Sequence, residues 1–353
     1  MSQTPNIDET VFIRRTLIVI ALVALVVLAW MLRDVLLMVF GAIVIATLFR
    51  SLASQFERLR VPTGLALTLS VLTVLAIVGG ALALFGAQLA AQTESLTQTL
   101  PKAWEAVQGK LGGWGVPIDL KKLAAGGIGG GMTASVGQFV MSIGEGLTDA
   151  LLIVVGGIFI AASPKFYTMG AVKLVPEARR ELVTQALGEG GNALKMWLKA
   201  QLAAMVVIGL LTGTGLWLLG VPSALALGLI AGLLEFIPFV GPILAAIPAV
   251  LLAVAIDPQL GLWTLLLYLL IQNIEGYAVQ PMVQQWAVDM PGAVLLFALL
   301  AFGGLFGPLG VIFAAPLTVV TYVLVKRLYV REALATPTPI PGEDEPETAG
   351  NTS

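Results

Sequence analysis

The chain has 353 residues, of which 58% are hydrophobic and only 11% charged, with a mean hydropathy of +0.95; soluble domains carry about 25% charged residues, so several membrane spans are expected. Without Cys or His, disulfides, thiolate nucleophiles, His-ligated zinc and Ser–His catalysis are excluded, and no catalytic set, metal or cofactor is expected. The net charge of −2 names no partner, and the absence of a basic stripe with interleaved aromatics argues against nucleic acid.

Residues 1–15 are polar and end in Arg14 and Arg15. The apolar run 16–32 would be about 26 Å long as a helix, enough to span. A second apolar run, 35–49, follows directly after Arg33 and Asp34, and no small-residue cleavage site comes between them. The first run is therefore read as an uncleaved anchor. The next loop, 50–62, carries Arg50, Arg58 and Arg60 against Glu57, which places it in the cytoplasm with the N-terminus. A third span is expected at about 63–86, closing an N-terminal three-span segment, 1–86.

Residues 87–146 are polar and balanced in charge, and Pro101, Pro117 and a glycine run at 126–131 interrupt them. They are expected to form an amphipathic helical segment on the outer side. No strand signal precedes the glycine run and no Lys-Ser/Thr follows it, so a hinge is preferred to a phosphate loop. From 147 to 330 the chain reads as a transport core, opening with a fourth span at about 147–163. The basic stretch that follows, with Pro176 and with Val183, Leu187, Leu194 and Leu198 near helical spacing, predicts an amphipathic helix near 176–199 on the inner membrane surface. A fifth span, about 200–220, contains Gly209, Gly213 and Gly215, which suit close helix packing and could also serve self-association.

Two apolar stretches then break the pattern. Pro238, Gly241 and Pro242 cut 222–256, while Gly303, Gly304, Gly307, Pro308 and Gly310 cut 291–325. Each arm of the first is about 22 Å long as helix, short of a hydrocarbon core of about 30 Å. Read as re-entrant hairpins from opposite faces, they leave six full spans, the sixth at 260–280. Read as full crossings, they bring the total to about eight. Both readings put Lys326, Arg327 and Arg331 in the cytoplasm with both termini, and both describe an all-α membrane protein with a disordered tail at 331–353. Broken helices expose backbone groups that lipid cannot satisfy, so they belong where they line a protein-buried or watery cavity. Two of them together point to a transporter core with its site near the midplane.

Residues 200–325 contain no Lys or Arg, yet they hold Glu235, Asp257, Glu275 and Asp289. Asp257 and Asp289 lie beside loop prolines and read as solvated turns. Glu235 and Glu275 lie in or at the edge of apolar runs, where a carboxylate with no local basic partner is costly and is usually kept for a purpose. Such a group can bind a cation, carry a proton or accept hydrogen bonds from a polar solute. Gln272 and Glu275, three residues apart, share a helix face, with Asn273 about 100° to one side of Gln272. The competing reading leaves this polar end in the cytoplasmic headgroup zone, bonded to water.

EFIPFVGP at 235–242, QNIEGYAVQP at 272–281 and GGLFGPLGVIFAAPL at 303–317 resemble the C-terminal signature of the autoinducer-2 exporter family of bacterial permeases. The likeness runs from the amphipathic helix near 176 to about 330. It implies a secondary transporter of the bacterial inner membrane. Family members have been assigned export of the quorum-sensing furanone autoinducer-2, and others Na⁺(Li⁺)/H⁺ antiport. By this likeness Glu235, Pro238, Gly241 and Pro242 fall in the first motif, Gln272, Glu275 and Pro281 in the second, and Gly307, Gly310 and Pro316 in the third. The partners expected are membrane lipid, a small solute, a monovalent cation or proton, and further copies of the chain. A scaffold or regulator acting through 87–146 or 165–199 is the rival from another class, and it has no need of buried acids.

Overall fold

A computed structural model describes residues 9–81, 83, 84, 132–281 and 290–339, and the described residues are helices and turns with no strand. The expected glycine hinge at 126–131, Asp289 and most of the C-terminal tail lie outside the described residues, as does most of the segment 87–146.

In chain order the helices are α1 (Glu9–Met31), α2 (Arg33–Arg58), α3 (Thr63–Ala81), α4 (Met132–Ala162), α5 (Pro164–Lys173), α6 (Arg180–Leu218), α7 (Ala224–Leu234), α8 (Val240–Ile256), α9 (Pro258–Ile274) and α10 (Gly292–Leu324). Helix α9 runs on into a π-helical turn, Glu275–Val279, and α10 into a second one, Val325–Ala333. The six expected spans correspond to α1, α2, α3, α4, α6 and α9. Their outward faces carry exposed Leu, Ile, Val and Phe side chains, as suits helices whose solvent is lipid tail.

Several boundaries differ from the sequence reading. Helix α2 continues through Arg58, so the basic residue Arg50, expected in a loop, sits on its last turns. Helix α4 begins at Met132, well before the expected start near 147, and so takes in the end of the segment 87–146. At Ser163 the chain bends by 91° into α5, which runs across the span that precedes it.

The largest correction concerns 176–199. A surface helix followed by a separate span was expected, but α6 is one uninterrupted helix of 39 residues, about 58 Å long. The physical reason is the use made of its apolar face. Ala193, Leu194, Trp197 and Leu198 are buried in a cluster with Phe313, Val319 and Val323 of α10, and Gly190 faces Val320 and Leu324. The stripe that looked membrane-directed is matched to another helix, so α6 runs straight on beyond a core of about 30 Å.

Helix α6 also lies against α7 along a seam without side chains. A Cβ on Gly228 would fall 2.5 Å from the Gly213 Cα and 2.8 Å from the Gly209 carbonyl oxygen, and one on Gly232 would fall 2.6 Å from the Met205 carbonyl oxygen. Small residues four apart on both helices let the backbones touch, which is how helices gain dispersion energy in lipid. Gly209 and Gly213 are therefore occupied within the chain, and self-association through them, considered from sequence, is not available.

Both predicted breaks interrupt the regular helical backbone. After α7, Phe239 adopts φ 67° and ψ −44°, and the Val240 N–H donates to the Pro238 carbonyl at 2.8 Å, a strained γ-turn. A Cβ on Gly241 would run into the Leu234 carbonyl, although seven residues of straight helix would separate the two by about 10 Å. In α10, Gly307 adopts φ 64° and ψ −146°. There a Cβ on Gly310 would strike the carbonyl of Phe302, eight residues away and about 12 Å off in a continuous helix. Glycine is required at these two approaches because no side chain fits between the strands of backbone.

The two tips share one apolar cluster. Phe236, beside the first break, packs edge-on against Trp197 of α6, with ring centroids 5.9 Å apart. Phe306 and Leu309, flanking the second break, join the same cluster. Phe313 meets Phe40 of α2 edge-on at 6.5 Å, and Gly41 leaves room for its ring. Such aromatic pairs add about 1 kcal/mol each beyond the area they bury.

A candidate carboxyl site at the first break

The last turn of α7 leaves backbone carbonyls without intrahelical partners, and Glu235 is the residue that caps it. Its side chain is 3% exposed. Facing it is Glu275, also 3% exposed, the first residue of the π-helical turn that ends α9. The buried face of this crossing runs Gly261, Thr264, Tyr268, Ile271, Glu275, Val279, at the spacing of a single helical stripe. The wider π turn keeps Glu275 and Val279 on that stripe, and single turns of this kind recur at functional sites.

The side chains of Glu235 and Glu275 are both buried and interact with each other. Two carboxylate anions side by side in the interior repel each other, and a proton or a cation between them relieves that repulsion. Gln272 donates its side-chain N–H to Glu275 Oε2 at 2.9 Å. Gln201 of α6 donates its side-chain N–H to the main-chain carbonyl of Glu235 at 2.6 Å. Glu235 Oε2 is buried and, among the described residues, has no hydrogen-bond partner. No guanidinium or ammonium group comes from residues 200–325, which contain none. The arrangement can hold a proton, a desolvated monovalent cation or a hydroxyl-bearing solute.

The remaining predicted positions sort by location. Asn273 is exposed, and its side-chain amide donates to the Leu269 carbonyl at 2.7 Å, so it does not join the carboxyl pair. Pro238 and Gly241 shape the γ-turn beside Glu235, and Pro242 lies in the first turn of α8. Gly303, Gly307, Pro308 and Gly310 form the second break. Asp257 is exposed and caps α9, accepting from the Gln259 N–H at 3.2 Å with Pro258 in the first turn, the solvated turn expected of it.

Two residues escaped the sequence reading. Gln201 sits two residues after Lys199 at the start of an apolar run, where an amide passes for a headgroup contact. Its one signal was polarity on the stripe that continues Leu194 and Leu198. Arg327 was read only as an inner-side charge. In the fold it is 8% exposed, and its Nη2 donates to Gln185 Oε1 at 2.5 Å. Its Nε lies 3.5 Å from Glu189 and its Nη1 3.9 Å from Glu332.

The decisive comparison is with families of known proteins: residues 18–329 match the family described as AI-2E family transporter. The chain belongs to the AI-2E transporter family. Among curated relatives, the AI-2 transport protein TqsA of Escherichia coli K12 is 24% identical over 311 residues, covering 83% of this chain and 86% of the relative. YrrI of Bacillus subtilis, which carries a transport-protein name, is 30% identical over 191 residues, 51% of this chain and 54% of that one. A Thermotoga maritima protein of similar naming is 27% identical over 194 residues, 53% and 57% of the two chains. The aligned part thus spans about half the length of these last two relatives. An AI-2E chain with this many apolar helices is a multi-pass membrane protein.

Proposed function

We propose that this AI-2E chain is a secondary transporter of the bacterial inner membrane, with both termini in the cytoplasm. It moves a small polar solute of the autoinducer-2 kind and couples that movement to protons or Na⁺ at the Glu235–Glu275 pair. The observation that carries the proposal is the meeting of two buried carboxyl groups from separate elements, with no basic residue in the surrounding sequence to neutralise them. A cation must complete such a pair when the site is dry. When water enters, the shared proton leaves to solvent, and Na⁺ or a solute hydroxyl takes its place beside the carboxylates. Closure around the new occupant and reopening on the other side complete a coupled cycle. Broken helices are tolerated where they line a cavity, which such a cycle needs, and entry of the two hairpins from opposite faces would bring their tips to mid-depth.

Glu235, with its unpartnered oxygen, is assigned the proton or cation. Glu275, already engaged by Gln272, is assigned to the solute or to the inner mouth. Substrate kinship comes from the name of TqsA alone. The same pair favours a second reading, Na⁺(Li⁺)/H⁺ antiport without an organic solute, because a free carboxylate oxygen is a sodium ligand as readily as a proton acceptor.

The test is flux in proteoliposomes under imposed pH and Na⁺ gradients, with autoinducer-2 and with Na⁺ alone as the moved species. Glu235→Gln should remove the pH dependence of flux, and Glu275→Gln should raise the half-saturating solute concentration. Normal flux with an unchanged pH profile in Glu235→Gln would sink the coupling role. Loss of flux in step with loss of thermal stability would point to a structural role for the acids.

A further inference from the structure

Gln201 does something for Glu235 that no other described side chain does. It holds the residue by its backbone and leaves its carboxyl group free. The amide N–H meets the main-chain carbonyl at 2.6 Å, both groups are buried, and they lie 34 residues apart in sequence. The bond fixes the end of α7 at the point where the γ-turn begins, and thereby fixes how far the Glu235 side chain reaches toward Glu275. A basic residue in the same place would form an ion pair with the carboxylate. An apolar one would leave a helix-end carbonyl unbonded in a site closed to water.

We infer that Gln201 is a positioning residue for the carboxyl pair, setting the affinity of Glu235 for its proton or cation through the main-chain bond. The inference rests on the proposed coupling role of that pair. Among the described residues, the other elements packed about this break offer no competing charge. Helices α7 and α8 and residues 292–324 carry no acid or base other than Tyr322 near the far end of α10. Helix α9 contributes Glu275 and the buried Tyr268, whose hydroxyl donates to the Ala245 carbonyl. Lys199 of α6 is exposed.

The test needs no transported solute. The full chain, purified and returned to liposomes, is treated with the carboxyl reagent dicyclohexylcarbodiimide over a pH series, and the adduct at Glu235 is measured by peptide mass spectrometry. Protonated, buried carboxyls react, so the wild type should give a titration curve that added Na⁺ depresses. Gln201→Met, of equal reach but without a donor, should move the midpoint by about one pH unit, a tenfold change in proton affinity. Gln201→Asn, one methylene short, should move it the same way by less. It also stands in if the Met variant does not fold.

Curves that superimpose on wild type, or lowered melting temperature with an unmoved midpoint, would overturn the inference. A wild type that shows no reaction at Glu235 would overturn it too. A shifted curve in a protein whose flux ignores pH and Na⁺ would remove the transport coupling and leave the positioning role standing. Coupled flux with an unshifted curve would do the reverse.

Discussion

The guanidinium of Arg327 lies 3.5 Å from the carboxylate of Glu189, joining the turn that follows α10 to the N-terminal half of α6. In the same π-helical turn Glu332 stands five residues on from Arg327 and approaches it at 3.9 Å, as the i, i+5 register of that winding allows. Gln185, one turn before Glu189 on α6, takes a third donor. Removing one member of a buried ion pair leaves the other uncompensated, whereas replacing both with apolar groups is often neutral. Arg327→Ala should lower unfolding stability in detergent by about 2–3 kcal/mol. The double variant Arg327→Met, Glu189→Leu should recover most of that loss. A double variant no more stable than the single one would show that packing, not charge, holds this joint.

The glycine seam predicts a steep position dependence. Gly228→Ala places a methyl group against the backbone of Gly213 and Gly209, which cannot move aside as a flexible side chain would. Overpacking of this kind costs about 1–3 kcal/mol. Gly64→Ala, with open space around it, should be neutral. Melting followed by size-exclusion fluorescence ranks the two, and equal melting points would mean that α6 and α7 do not approach as closely as described.

At the breaks, a substitution should separate folding from function. Gly241→Leu collides with the Leu234 carbonyl, and Gly307→Leu forces a side chain into a backbone conformation that only glycine adopts freely. At Gly307 that strain is worth about 1–3 kcal/mol, while at Gly241 the backbone of the turn itself must shift to admit the side chain. Both effects are local to the breaks and leave the apolar spans intact for membrane insertion. Both variants should accumulate in the membrane near wild-type levels with flux reduced at least about tenfold, a barrier change of roughly 1.4 kcal/mol. Full flux in both would reduce the breaks to packing kinks.

Orientation can be read directly, because the chain has no Cys. The basic loops predict that a Cys at Lys165, exposed on α5, faces the cytoplasm. A Cys at Gln108, outside the described residues, is expected on the other side. An impermeant maleimide should label Gln108→Cys and spare Lys165→Cys in intact spheroplasts. The opposite pattern would invert the topology.

What the sequence disclosed follows from which signals are local. The all-helical membrane character, both breaks and the two buried acids could be read because hydropathy, Gly/Pro punctuation and lone carboxylates in apolar runs need no knowledge of neighbours. The course of α6 could not. An apolar stripe at 183–198 looks the same whether it faces headgroups or Phe313 and Val319, and only the partner helix decides. Gln201 and Arg327 were missed for a related reason: each takes its meaning from a residue far away in the chain. Isolation from basic residues marked Glu235 and Glu275 each as a candidate but did not disclose that they meet, while Asn273, expected beside Gln272, turned outward because a helix rotates by about 100° per residue.

Helix α6 is fastened to both broken elements. The first is held along the glycine seam and at Gln201, the second through Trp197, Leu198 and the Arg327 joint. Its 39 residues contain no proline and no break at which they could hinge. The helix is thus a common axle for both broken elements: in the proposed cycle, a stroke that opens the space between Glu235 and Glu275 would slide one seam along this rod or turn the rod itself. Glu189 and Gln201 lie twelve residues or about 18 Å apart on it, so the Arg327 joint and the main-chain bond to Glu235 are mounted on the same rod.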